Sequence, residues 1–143
     1  MLDFRCFLLT SSSLLTWPSI AIVKIGGNVS FSCGCSTESL ICHGRKRWYH
    51  QPLWNNTEVL LYAGYSVQRF SNKFTVNIDN QTGRCDIIIK SVELTDAGQY
   101  KCKSSIDGSL ASTSSLTVYG MNAVYQIMRS YFKRVYKLVK LQI

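Results

Sequence analysis

The side chains best equipped for chemistry are two histidines and a loose set of cysteines. Cys35 and Cys42-His43 lie close together, His50 follows, and Cys85 stands far downstream. Such a set could bind zinc, form a thiolate–imidazole pair, or form disulfides. Structural zinc sites use tight Cys-x2–4-Cys pairs. Here the spacing is Cys-x6-Cys-His and then a remote cysteine, which does not fit. A catalytic thiol needs an imidazole positioned beside it, and no motif supports one. There is no G-x-S-x-G, no H-E-x-x-H and no phosphate-cradling glycine loop. Asp86 and Asp96, the acids nearest to any chemistry, have structural readings, and His50 reads as a core or edge residue of a strand. The expectation is therefore no catalytic residue, no metal and no cofactor. Disulfide chemistry remains, and six cysteines in 143 residues suit an oxidising compartment. Asn28-Val29-Ser30, Asn55-Asn56-Thr57 and Asn80-Gln81-Thr82 are N-glycosylation sequons, and Asn55 and Asn80 fall in predicted turns.

The elements that must hold these residues are strands. Alternate side chains of a strand share a face. Val29, Phe31 and Cys33 alternate with polar residues, as do Phe74, Val76 and Ile78, and Cys85, Ile87 and Ile89. RWYHQ (47–51) and VLLYA (59–63) read as two further strands, broken by Pro52 and by Trp54-Asn55-Asn56. In TDAGQYKC (95–102) Tyr100 and Cys102 point the same way, while Asp96 and Gly98 lie at the turn before them. Asp107-Gly108 is a tight-turn signal leading to a last strand with Leu116 and Val118. Seven to nine short strands and no helix before residue 120 predict an all-β antiparallel sandwich, because each strand has one apolar face to bury.

Cys33, Trp48 and the run Asp96-x-Gly98-x-Tyr100-x-Cys102 together resemble the immunoglobulin superfamily, in particular its variable (V-set) type, over about residues 18–120. The resemblance implies a Greek-key sandwich with a disulfide between Cys33 and Cys102 and Trp48 packed on it. It implies that Tyr100 is a tyrosine corner and that Asp96 pairs with a base, Lys73 first and Arg69 second. One departure matters. The Phe/Trp-Gly-x-Gly bulge of antigen-receptor variable domains is missing from LASTSSLTVYG, so a stand-alone receptor-like or adhesion-like domain fits better. In V-type domains binding falls on end loops or on the face of the sheet that holds Trp48. The candidate loops are 36–46, 64–69 and 104–109, the last containing Asp107, and the candidate face carries Tyr49, Gln51, Leu61 and Lys103.

Cys35, Cys42 and Cys85 are the pool for a second disulfide. Cys35–Cys42 would clip a loop, and Cys42–Cys85 would tie that loop to the sheet. One cysteine is then left over, as a buried thiol or as the link of a covalent homodimer.

The ends differ from the domain. Residues 1–18 resemble a secretory leader, with cleavage as late as residue 21, or as early as Ser13 or Thr16 if PSIAIVKIGG is a first strand. The domain is expected over 19–120 and a basic tail over 121–143. The tail contains Arg129, Lys133, Arg134, Lys137 and Lys140 and no acid, so it carries most of the net charge of +8. Apolar residues from Val124 to Val139 recur at intervals of three and four, which predicts a basic amphipathic helix. Such a helix suits anionic membrane; nucleic acid is not expected for a chain that reads as secreted. The functional expectation is an extracellular, non-catalytic recognition or adhesion module of immune-receptor type that binds a protein. The alternatives are a membrane-active effector acting through its tail, or a fragment of a larger receptor.

Overall fold

A computed structural model describes residues 14–35, 44–65 and 72–141, and within the C-terminal helix the side chains of 128–140. Nine strands follow in chain order: β1 (Leu14–Trp17), β2 (Ile20–Lys24), β3 (Val29–Cys35), β4 (Lys46–Pro52), β5 (Val59–Tyr62), β6 (Phe74–Ile78), β7 (Cys85–Ile89), β8 (Gly98–Ser104) and β9 (Ala111–Tyr119). A 3-10 turn spans Leu94–Asp96, and helix α1 spans Met121–Leu141. The strands form two sheets, ordered β1-β3-β7-β6 and β2-β9-β8-β4-β5.

Alternation builds the core. Val29, Phe31 and Cys33 of β3 face inward beside Cys85, Ile87 and Ile89 of β7. Trp48, Leu61, Tyr100, Cys102 and Leu116 meet them from the other sheet. Phe31, Ile87 and Trp48 are wholly shielded from solvent, and each large apolar side chain so buried contributes about 2 kcal/mol relative to exposure.

The sandwich departs from the expected all-antiparallel pattern in one place: β2 runs parallel to β9. The cause lies in the first strand. β1 pairs antiparallel with β3 from Leu14 opposite Cys35 to Trp17 opposite Ser32. Pro18 then has no N–H to give to that ladder, and the chain crosses to the other sheet. The crossing is stitched to β9, where Ser114 Oγ donates to the Pro18 carbonyl at 2.7 Å and Ser115 N donates to the Ser19 carbonyl at 2.8 Å.

β1 precedes the residue where the domain is expected to start. Leu14 is buried, and cleavage at residue 18 or 21 would cut away a strand paired with β3. A short apolar run satisfies a leader and an edge strand alike, so its composition cannot separate the two. At the other end β9 stops at Tyr119, and Gly120, with φ of +149°, turns the chain into α1. An L side chain rarely adopts that backbone.

Candidate recognition surface

One end of the five-stranded sheet is pinned by a corner. The Tyr100 hydroxyl donates to the Asp96 carbonyl at 2.6 Å. The Asp96 carboxylate accepts from Lys73 Nζ at 2.7 Å and from the Glu93 backbone N–H at 2.7 Å. Lys73 Nζ also donates to the Ser91 carbonyl at 3.1 Å. Arg69 lies outside the described residues. Gly98, which opens β8, has φ of +134°, and a Cβ there would stand 2.3 Å from the Gln51 carbonyl oxygen. His50 stacks on Tyr100 with ring centroids 4.4 Å apart, and its Nε2 lies 3.2 Å from the Ala97 carbonyl. Burial pushes the His50 pKa below its ordinary value. The histidine thus serves the corner.

The cysteines resolve into separate roles. Cys33 and Cys102 form a disulfide between the sheets, and Trp48 is fully buried in the same core cluster. Cys35 is disulfide-bonded too, and its partner lies outside the described residues, as do Cys42 and His43. Cys85 is a free, buried thiol. Among the described residues Cys85 is the free cysteine, enclosed in the core rather than tied to the loop that holds Cys42. Burial pushes its thiol up to about 11, and the Trp48 indole opposes that shift without making a hydrogen bond of ordinary geometry. Among the described residues no three metal-ligating side chains converge.

The outer face of β4, β5 and β8 carries a different chemistry. Tyr100 and Cys102 point inward, so Lys101 and Lys103 point outward. Both donate to the carboxylate of Glu58, Lys103 at 2.9 Å. Glu58 lies just before β5, and β4 runs between β5 and β8, so the acid reaches across a whole strand. The two lysines hold its carboxyl below the usual carboxylate range. Lys103 Nζ also sits 4.6 Å from the centroid of the Tyr49 ring. Gln51 is half-buried on the same strand as Tyr49.

Leu61 does not belong to this face. It is buried at 5 % exposure. The β4–β5 register shifts between Trp48 and Tyr49, so that Trp48 pairs with Tyr62 but Tyr49 pairs with Leu60. Strict alternation from Tyr49 does not survive that shift. Asp107 lies outside the sheet face, in the β8–β9 turn, where its carboxylate accepts from Ser109 N at 3.0 Å and from Ser109 Oγ at 2.6 Å. Those bonds keep its pKa low. Asn28, Asn55 and Asn80 are exposed. The side-chain oxygens of the first two accept from Ser91 N and Thr57 N, both at 3.0 Å.

The immunoglobulin V-set domain family matches residues 18–119. The chain belongs to the immunoglobulin V-set family. A search of curated proteins finds no match. V-set domains are recognition modules that commonly mediate protein–protein contact outside the cell or at its surface. In this V-set domain β8 and β9 pair without interruption from Gly98 opposite Leu116 to Lys103 opposite Ala111. No bulge reshapes the sheet at the position where paired antigen-receptor domains have one.

Glu58 and Lys101 were not among the residues expected at a binding face. The outward alternation of Lys101 with Lys103 could have pointed to the second. Nothing in the spacing points to Glu58, whose role depends on which strands are neighbours.

Proposed function

We propose that the chain is a secreted or cell-surface, non-catalytic recognition module that binds a protein partner through the outer face of β4, β5 and β8. The observation that carries this reading is the ordered Lys101–Glu58–Lys103 group with Lys103 over Tyr49. Charged side chains on a surface usually lose rotamer freedom when a partner binds. Here mutual pairing has already fixed three of them, and one, Lys103, lies over an aromatic ring. A half-buried tyrosine beside oriented charges suits a protein interface, where aromatic anchors dominate and charges set the register. The continuous β8–β9 ladder favours an unpaired domain in adhesion or immune recognition. The exposed sequons at Asn28, Asn55 and Asn80 and the two disulfide-bonded cysteines of β3 fit passage through an oxidising secretory route.

The test is a multimerised, glycosylated full chain applied to a panel of cells and purified ectodomains. Binding that Tyr49→Ala or Lys103→Ala weakens by about tenfold or more, in variants that keep their melting temperature, supports the face. Absence of any binder, or a binder indifferent to both substitutions, removes it.

A further inference from the structure

We propose that helix α1 is a docking surface for an anionic lipid bilayer and lies in the plane of its headgroups. This inference is independent of what the β-sheet face binds.

The argument begins with segregation. At 3.6 residues per turn, Met128, Tyr131, Phe132, Val135, Tyr136, Leu138 and Val139 fall within an arc of about 160°. Arg129, Lys133, Arg134, Lys137 and Lys140 fill the remainder, and no base intrudes on the apolar arc. All residues from 128 to 140 are exposed, with Tyr131, Tyr136 and Leu138 each more than 60 % so. The apolar arc is therefore not spent on the helix's own domain.

Charge selects the occupant. Residues 121–143 contain five bases and no acid. A second copy of the helix would place bases against bases with no carboxylate to pair them, and like charges on facing helices repel. The arc is also wider than the narrow seam of a two-stranded coil. The β-domain offers no complement, since it is itself net basic. A bilayer with anionic headgroups satisfies both halves together: apolar side chains enter the acyl boundary and bases meet phosphates. Tyr131 and Tyr136 fall near the two margins of the apolar arc, at the depth where amphipathic rings gather. The helix is not long and apolar enough to cross a membrane, so it would lie on the surface rather than span it.

The experiment is flotation of the full secreted chain with vesicles of phosphatidylcholine alone or with about 30 % phosphatidylserine, at about 0.15 M and about 0.5 M salt. Two double variants accompany it: Lys133→Glu/Lys137→Glu, and Phe132→Asp/Val135→Asp. Both change only exposed positions of α1, and an unchanged melting temperature confirms that the sandwich is intact. The expected result is binding that requires phosphatidylserine and weakens at high salt. Each base lost should cost about fivefold, and the apolar double variant more than tenfold. No binding to the anionic vesicles overturns the proposal. So does binding that the apolar variant leaves unchanged, which would mark a simple polyanion contact such as heparin would also satisfy. A dimer that Phe132→Asp/Val135→Asp dissociates, in a chain that ignores vesicles, would assign the face to a second copy instead.

Discussion

Cys85 stands directly opposite Cys33 in the β3–β7 ladder, yet the sulfur of Cys33 is committed across the sandwich to Cys102. A reduced thiol is thus enclosed beside a bonded cysteine. The folded thiol loses its proton at about 11 against an ordinary value of 9.0, so above pH 9 the folded chain keeps a proton that the unfolded chain releases. Stability from this group is intact below pH 9 and falls as pH rises from about 9 to about 11, by about 2–3 kcal/mol. Denaturation at stepped pH should show that loss, and Cys85→Ala should reduce it most between pH 9 and about 10, before the buried hydroxyls of Tyr100 and Tyr62, also raised by burial, add a loss of the same sign. A thiol reagent should label Cys85 quickly only in denaturant.

The Asp96 carboxylate holds both Lys73 Nζ and the Glu93 N–H of the turn, whereas Lys73 Nζ reaches that carboxylate and the Ser91 carbonyl, so their removal should not be equivalent. Asp96→Ala loses the ion pair and also strands the Glu93 N–H at the 3-10 turn. It is expected to cost about 2 kcal/mol. Lys73→Ala loses a partly exposed pair and an exposed bond to the Ser91 carbonyl, whose oxygen water can reach, and should cost below about 1 kcal/mol. Urea midpoints of the two variants would rank them, and equal losses would contradict the role given to the turn.

Gly98 leaves no room for substitution. Gly98→Ala would place a methyl 2.3 Å from the Gln51 carbonyl on a backbone with φ of +134°. The steric and conformational costs fall together, so a loss of more than about 3 kcal/mol is expected. Thermal unfolding, or a failure of the variant to be secreted, would register it.

The mature chain should begin at or before Leu14. Loss of β1 would expose the core beneath Leu14, remove the Thr16–Ser112 bonds at 2.9 and 3.1 Å, and strip Trp17 from beneath Arg84. Leu14 alone contributes about 2 kcal/mol of burial. The intact mass of the secreted protein, compared with a chain begun at residue 19, tests this. Equal stability of the two would show that β1 is dispensable.

What could be read ahead of the structure followed physical periodicity. Val29, Phe31 and Cys33, and likewise Tyr100 and Cys102, keep the strand period, so their inward orientation could be read; the V-set frame came from the resemblance of Cys33, Trp48 and the Asp96–Cys102 run to that family. The helix of the tail was legible from its period too, since intervals of three and four residues can lie on one face only if the chain is helical. Leu61 was misplaced because a register shift is a two-strand property that a single strand does not encode. β1 was absorbed into the expected leader because Leu14-Leu15-Thr16-Trp17 has the composition of either. The Glu58 clamp stayed hidden because it joins strands that are neighbours of a neighbour.

The parallel seating of β2 on β9 has a mechanical consequence. β9 ends at Tyr119, Gly120 turns the chain into α1, and β9 is flanked by β2 from Ile20 to Lys24 and by β8 from Gly98 to Lys103. Ladder hydrogen bonds run roughly across the strands. Tension drawn along β9 through Gly120 therefore loads both ladders in shear, many bonds at once, whereas a pull across the edge strand β6 would unzip one bond at a time. A tether at the tail would pull on a strand that is held by a ladder on each side.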